Sequence, residues 1–228
     1  MKRRSESKPR VPRAPRLPAG LERAEAARLQ GVRDAQLRAV EVVELELLGA
    51  EWSAADIQQV RFVGVSLRGA QLRACSLTDV AFERCDVSGM RFEDGSLTRV
   101  AFSGCRMDGA TFSASSLFDT YALDCKLALS NFRFLKKLEA RFENCSLREA
   151  DFTGSDLRKV VLVNCDCTSV DLTNAQLAGA DWRGNELLNL RGVAALRGAT
   201  VDHAQLIAVL PQLAAEAGII LASDSEAS

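Results

Sequence analysis

Apolar residues recur at every fifth position through most of this chain. Stepping by five from Leu37 to Leu187 gives 31 positions, and 30 of them hold an apolar residue. An α-helix cannot use this pattern, because a step of five turns the side chain by ~500° and successive apolar residues drift around the axis. A flat strand cannot use it either, since its faces alternate with a period of two. The pattern predicts a coil whose sides are five residues long, each ending in a turn.

A second row of small or apolar residues lies two positions before each central residue, as at Val60, Val65 and Ala70. Two inward residues at a spacing of two suit a short extended segment. The other three positions of each unit are mostly Gly, Asn, Asp, Ser, Arg and Glu, as turns and solvent-facing sites require.

The phenylalanines indicate how many sides each coil has. They fall into two sets with a period of twenty, offset from each other by ten: Phe62, Phe82, Phe102 and Phe142 in one set, and Phe92, Phe112, Phe132 and Phe152 in the other. Leucine dominates the central positions in between. A period of twenty predicts a square coil in which two Phe-lined sides face each other across the core.

Five cysteines follow the same period of twenty: Cys85, Cys105, Cys125, Cys145 and Cys165. They fall on the inward row, so they should stack from coil to coil as small buried residues. A zinc site needs ligands that converge tetrahedrally, which a linear stack does not offer. Disulfides between neighbours are geometrically conceivable but disfavoured in a reducing compartment. We expect a packing role, with no metal and no cofactor.

Several segments resemble the pentapeptide repeat family, whose unit is roughly A-(D/N)-(L/F)-x-x. They include "ADFTGSDLRKV", "AQLAGADWRG" and "ARFENCSLREADFTGSDL", and the resemblance covers residues 35–189. It implies an all-β solenoid, a right-handed quadrilateral β-helix of nearly eight coils and ~37 Å in length at the usual strand spacing.

Composition changes this picture mainly at the N-terminus. The chain has 228 residues and a net charge of −1, but residues 1–23 carry +6 and the remainder −7. We expect residues 1–23 to be a disordered, Pro-rich basic tail that either contacts an anionic partner or only aids solubility. Residues 24–34 form a lead-in that could be helical. Seven cysteines, no apolar h-region at the start and no apolar run of ~18 residues predict a cytoplasmic protein with no membrane contact.

The segment 190–221 is expected to cap the solenoid, whose open end exposes strand edges and apolar stacks. Asp202 can cap a helix that Gly218 ends, and Pro211 should kink or split that helix. Its apolar residues are Leu206, Leu210, Leu213 and Ala217. The following "GIIL" reads as a short strand, and residues 222–228 as a flexible tail.

Dimerisation through this cap is a second possibility. Topoisomerase-protecting members of the family, which this end resembles, also use it as a dimer interface. Capping alone and capping with homodimerisation both remain open. The candidate interface residues are Leu210, Leu213, Ile219, Ile220 and Leu221.

Nothing in the sequence indicates catalysis, and we expect no catalytic residue. The one histidine, His203, lies at the predicted helix start, where a surface or capping role is expected.

A non-enzymatic protein-binding scaffold is the first functional hypothesis. Lys137 falls on a central position, so the coil should bulge there, because an unpaired buried lysine is very unfavourable. The apolar residues on outward or corner positions nearby either form a docking patch or fold back over the bulge: Phe118, Tyr121, Leu123, Leu129, Phe134 and Leu138.

The second hypothesis comes from the resemblance, which implies a DNA-mimic-like protein that binds or protects DNA gyrase or another type II topoisomerase and confers inhibitor resistance. Such a β-helix would not itself bind nucleic acid. The acidic positions at the C-terminal end would serve this role or simply be solvated: Asp151, Asp156, Asp166, Asp171, Asp181 and Glu186. Residues 126–148 carry a net charge of +4 and form a basic belt that interrupts a DNA-like potential.

Overall fold

The described part of the chain coils into a β-solenoid of about seven turns and ends in one α-helix. This computed structural model describes residues 11–24, 29, 32–34, 36–135 and 137–220. The β-helix and its helical cap, predicted from the sequence, are confirmed.

Short strands form the sides of the coil. They are β1 (Glu22–Arg23), β2 (Val32–Arg33), β3 (Gln36–Arg38), β4 (Val40–Val43), β5 (Glu51–Ser53), β6 (Asp56–Gln58), β7 (Arg61–Val63), β8 (Gln71–Arg73), β9 (Ser76–Glu83), β10 (Arg91–Glu93), β11 (Ser96–Ser103), β12 (Ser116–Leu123), β13 (Lys137–Glu143) and β14 (Val160–Val163). A 3-10 helix (Val193–Leu196) and α1 (His203–Glu216) follow.

All strand pairs within the solenoid are parallel, with a register of twenty residues along nearly its whole length. Phe62 pairs with Phe82, and Phe82 with Phe102. On another side Trp52 pairs with Leu72, and Leu72 with Phe92. Single bridges such as Asp166 with Glu186 continue the ladder where no strand is long enough. Four sides of five residues therefore make one turn, as the spacing of the phenylalanines predicts.

The core is a set of stacks that run along the solenoid axis. The rings of Phe62 and Phe82 stack with centroids 4.8 Å apart, and those of Phe82 and Phe102 with the same separation. On the opposite side Phe112 lies 5.1 Å from Phe132 and Phe132 lies 4.9 Å from Phe152. These separations match the distance between neighbouring strands, so each coil contributes one buried ring to a stack.

The corners of the square require a left-handed backbone. The residue two positions after each central residue commonly has a positive φ, for example 57° at Asp79 and 68° at Gly154. Glycine adopts this conformation without penalty, and Asn and Asp do so more readily than other side chains. This requirement accounts for the turn residues that recur in the sequence.

The coil is irregular at Lys137, as predicted, but the lysine is not inside it. Ser116 pairs with Lys137 and Leu117 with Leu138, and the register shifts by one before Thr120 pairs with Ala140. Leu138 therefore occupies the central position and is buried, which corrects its placement on an outward or corner position. The Lys137 side chain is exposed, and its ammonium lies 4.2 Å from the centroid of the Phe118 ring. The shift expels the charge and keeps the core apolar.

The N-terminal segment differs from the predicted disordered tail. Residues 11–18 lie against the solenoid with specific hydrogen bonds, and β1 pairs with β4 in register Glu22 to Val40. Residues 1–10 are outside the described part of the chain. In the lead-in, the described residues are not helical, and Val32 pairs with Trp52 as a strand.

The cap closes the last coil with polar as well as apolar groups. Gln205 is buried, and its side-chain amide donates hydrogen bonds to the carbonyl oxygens of Trp182 and Asn185, each at 2.7 Å. Val209, one turn further, is fully buried, and the partly buried Leu213 packs on the same core. Glu216 accepts hydrogen bonds from the amides that begin the 3-10 helix. Two carbonyl oxygens of the last coil thus receive hydrogen bonds from an α1 side chain.

The predicted start and end of α1 are confirmed, but its buried face is not the predicted one. Asp202 forms a capping box with Gln205, and Gly218 has a φ of 73° just past the helix end. Pro211 lies inside a helix that is not split. The Leu206 and Leu210 side chains face solvent, because polar Gln205 takes the place on the core face. Ile219 and Ile220 are not in a strand, and Leu221 and residues 222–228 are outside the described residues.

Candidate protein-binding surfaces

The acidic residues of the C-terminal end do not form one continuous face. Asp166 bridges to Glu186 on one side of the coil and Asp151 to Asp171 on another, while Asp156 and Asp181 belong to the two remaining sides. They therefore encircle the last coils and share no single face.

Arginines neutralise most of these carboxylates. Five ion pairs involve the predicted acidic positions: Asp151 with Arg133 at 3.5 Å, Asp156 with Arg158 at 2.6 Å, Asp166 with Arg148 at 3.1 Å, Asp171 with Arg191 at 3.9 Å and Asp181 with Arg183 at 2.6 Å. The Arg158 guanidinium holds the pKa of Asp156 below its ordinary value through their hydrogen bonds. Most of these acidic side chains are therefore paired with arginines, which weakens the negative potential that a DNA mimic needs.

The predicted docking residues also lie around the coil. Phe118 and Tyr121 are half-buried on β12, and so is Leu123 at its end. The Tyr121 hydroxyl donates a hydrogen bond to Glu143 at 3.0 Å. Phe118 is covered by the Lys137 ammonium on its ring. These three residues form part of the packed sheet surface and not a free apolar cluster.

Leu129 and Phe134 are different, because both are exposed corner residues. Their exposed fractions are 61% and 62%, and they mark the two ends of the side that contains Phe132. The Phe134 ring lies across Gly154 of the next coil, at a place that a side chain on Gly154 would fill. The guanidinium carbon of Arg133 lies 5.4 Å from the centroid of the Phe134 ring. We call Leu129, Phe134 and the outward residues between them the Leu129–Phe134 edge.

The structure contains one further charged corner that the sequence analysis did not identify. Asp79, Arg99 and Asp119 occupy equivalent corner positions in three successive coils, and both aspartates are buried. Arg99 forms two hydrogen bonds with Asp79, at 2.6 and 2.7 Å. Arg13 of the N-terminal segment binds Asp119, with 2.7 Å between its Nε and Oδ2. The spacing of twenty between Asp79, Arg99 and Asp119 was the available signal in the sequence. It indicates a site only once the N-terminal segment is known to bind these alternating charges.

The cysteine ladder is part of the core. All seven cysteines are buried free thiols, and the Cys105 sulfur lies 3.4 Å from the Phe82 carbonyl oxygen as a weak donor. Burial raises the pKa of the Cys75 and Cys167 thiols, which keeps them protonated. Within the described residues, no group of three or more His, Cys, Asp or Glu side chains could hold a metal ion. His203 is an exposed residue at the first position of α1.

Comparison with known proteins assigns the fold family. A family model described as a pentapeptide repeat region matches residues 35–112 and 95–160, which together make up more than half of the chain. The chain belongs to the pentapeptide repeat family. No helix in the described part of this pentapeptide repeat protein is long and apolar enough to cross a membrane.

Solved structures of the same fold class show low identity to this pentapeptide repeat protein. A trypsin-treated variant of QnrB1, a plasmid-mediated fluoroquinolone resistance protein, is 19% identical, with 85% of this chain and 98% of that chain covered and a TM-score of 0.46. Full-length QnrB1 is 20% identical, with coverages of 76% and 99% and a TM-score of 0.43. HetL, involved in heterocyst differentiation regulation in Nostoc, is 20% identical, with coverages of 73% and 93% and a TM-score of 0.24. No curated protein matches the chain.

Proposed function

We propose that this pentapeptide repeat protein is a non-enzymatic, protein-binding scaffold that uses the Leu129–Phe134 edge. The observation that supports this proposal is the backbone at the two corners. Leu129 and Phe134 have φ values of 59° and 50°, a conformation that is uncommon for large side chains. Both side chains are nevertheless exposed and apolar. Among the described non-glycine corners with positive φ, these are the two that carry a large apolar side chain. Large exposed apolar groups at positions that other coils give to small or polar residues favour a role in binding over a role in stability.

The test replaces both corner residues by asparagine, which tolerates the left-handed conformation. We expect Leu129→Asn with Phe134→Asn to keep or raise the melting temperature and to lose the proteins that wild type captures from a lysate of its source. Leu48→Asn is the matched control, since Leu48 is also 59% exposed but lies in an early coil. The same captured proteins on the double variant as on wild type would refute the proposal.

A second candidate is a regulator or protector of DNA gyrase. The acidic residues around the last coils and the exposed apolar side of α1 favour it. The ion pairs that neutralise five of the acidic residues, and the basic belt over 126–148, weigh against it. A supercoiling assay with purified gyrase, with and without a quinolone, is the direct test. Restored supercoiling in the presence of the drug would favour this candidate over the scaffold.

Homodimerisation through the cap also remains a proposal. Leu206, Ile207 and Leu210 are 41%, 55% and 50% exposed on one side of α1, and Ile219 is 59% exposed beyond it. Two copies could cover these residues by isologous pairing. The partly buried Leu213 already packs on the core and has less surface to offer a partner. Light scattering at micromolar concentration distinguishes a dimer from a monomer.

A cytoplasmic location suits the seven unpaired thiols.

A further inference from the structure

The N-terminal segment 11–18 follows a single corner of the solenoid across several coils. Arg13 reaches the coil of Asp119, and Arg16 reaches the coil of Asp79 and the one before it, at Gln59. The chain then enters the first coil through β1. The segment therefore runs along the solenoid axis, at right angles to the strands of the wall. We call Gln59, Asp79, Arg99 and Asp119 the corner ladder.

The Asp119 end of the corner ladder binds an arginine. The side chain of Asp119 is only 4% exposed. Its carboxylate accepts a hydrogen bond from the Arg13 Nε at 2.7 Å and another from the Arg13 backbone amide at 3.4 Å. The guanidinium carbon of Arg13 also lies 5.9 Å from the centroid of the Phe118 ring. Charge-assisted hydrogen bonds to a shielded carboxylate are stronger than those between exposed groups, so this contact favours arginine.

The other end of the ladder binds the main chain. The Arg16 backbone amide donates to Asp79 at 2.9 Å, and the Gln59 side-chain amide donates to the Arg16 carbonyl oxygen at 3.4 Å. Pro12 and Pro15 are half-buried, whereas Ala14 between them is exposed. Leu17 is half-buried as well, and the three prolines among residues 11–18 favour an extended, polyproline II-like backbone, which suits recognition with little ordering cost.

We propose that the corner ladder is a peptide-binding site for extended segments that contain arginine and proline, and that residues 11–18 are its displaceable ligand in cis. One side-chain contact specifies arginine, and the main-chain contacts accept any extended residue. None of residues 11–18 belongs to the apolar core, so the segment can leave without opening the solenoid. A partner with a similar basic segment would compete with residues 11–18 for the site.

The first test measures how well the full-length chain protects its own segment. Trypsin cleaves after Arg13 and Arg16 when that segment is free. We expect cleavage at both bonds to be slow in wild type and at least ~10-fold faster in Asp119→Asn, because protection scales with the bound population. Asp124→Asn is the matched control, since Asp124 is an exposed aspartate in the same coil. Equal cleavage rates in wild type and Asp119→Asn would overturn the proposal.

The second test adds the ligand in trans. The probe is a fluorescently labelled peptide with the sequence of residues 11–18, and its anisotropy is measured against full-length protein. Arg13→Glu in the protein should release the cis segment and tighten peptide binding at least ~10-fold over wild type, because the competing occupant is gone. A probe with Arg13 replaced by Gln, and the protein variant Arg13→Glu with Asp119→Asn, should both bind weakly.

The outcomes separate binding from a general effect on folding. Arg13 is half-exposed and outside the core, so Arg13→Glu should keep the wild-type circular dichroism spectrum. Saturable binding by Arg13→Glu that depends on Asp119 supports a peptide site. No binding by folded Arg13→Glu shows that the segment is only a fixed part of the structure. Equal binding by wild type and Arg13→Glu shows that residues 11–18 do not occupy the site of the peptide, and either result overturns the proposal.

Discussion

Phe112 illustrates how a single residue contributes to this fold. Its ring lies in the middle of a stack, 5.1 Å from Phe132 and 6.3 Å from Phe92, and the side chain is fully buried. A coil held by parallel strands on both sides cannot collapse around a missing ring. We expect Phe112→Ala to lower the free energy of unfolding by ~3–5 kcal/mol, as measured by denaturant titration.

The control for Phe112→Ala is Phe134→Ala, which removes the same ring from an exposed corner. Its cost should stay below ~1 kcal/mol, because surface substitutions remove little buried area. If the two variants lose equal stability, the inward register at Phe112 is wrong.

A second prediction at this scale concerns acid. The hydrogen bonds from Arg99 hold the pKa of Asp79 below its ordinary value. A carboxylate with a lowered native pKa stabilises the fold above its unfolded pKa of ~3.9, and that contribution is lost as pH falls through the native value. Asp79→Asn should therefore lower the melting temperature at pH 6 more than at pH 3. A pH-independent difference between wild type and variant would contradict this linkage.

Residue patterns predicted the core much better than the surface. The central positions were read correctly because every coil imposes the same steric requirement on them. Lys137 and Leu138 were misassigned because the register departs from twenty residues at this place: Ser116 pairs with Lys137, and the register returns to twenty at Thr120. The corner ladder was missed because its partner, Arg13, is about a hundred positions away in sequence, and no local pattern encodes that contact.

Helix α1 shows what an element adds beyond its pattern. The sequence predicted its cap and its end, since Asp202 and Gly218 have local roles. The buried face was predicted wrongly, because Gln205 binds the free carbonyl oxygens of the last coil. A hydrophobicity pattern cannot anticipate that a polar side chain will be preferred at an open strand edge, where unpaired carbonyls are costly to bury.

Two neighbouring positions on α1 distinguish capping from association. Val209 is fully buried against the last coil, whereas Leu210 is 50% exposed. Val209→Asp should lower the melting temperature strongly, since it buries an unpaired charge. Leu210→Asp should leave the melting temperature of a monomer nearly unchanged. If wild type is a dimer in light scattering, Leu210→Asp should convert it to a folded monomer; retention of the dimer would exclude this side of the helix as the interface.

The whole molecule is a one-dimensional stack, so its stability depends on matched neighbours more than on length. Deleting residues 62–81 removes one complete turn and joins Arg61 to Phe82. Phe82 then replaces Phe62 above Val42, Phe92 replaces Leu72 above Trp52, and every later residue keeps its side of the coil. We expect a shorter β-helix that unfolds cooperatively, with a moderately lower melting temperature.

Deleting only residues 62–66 provides the contrast. It removes a quarter of a turn, so every later side moves to the next position relative to the first coil. Leu67 would then stack on Val42 and Phe82 on Ile57. Phenylalanine-lined sides would therefore pair with sides whose central residues are of a different size. Although fewer residues are lost, the melting temperature should fall further than in the twenty-residue deletion. The reverse order in thermal unfolding, followed by circular dichroism, would show that any five-residue side can replace any other and that the period of twenty has no energetic meaning.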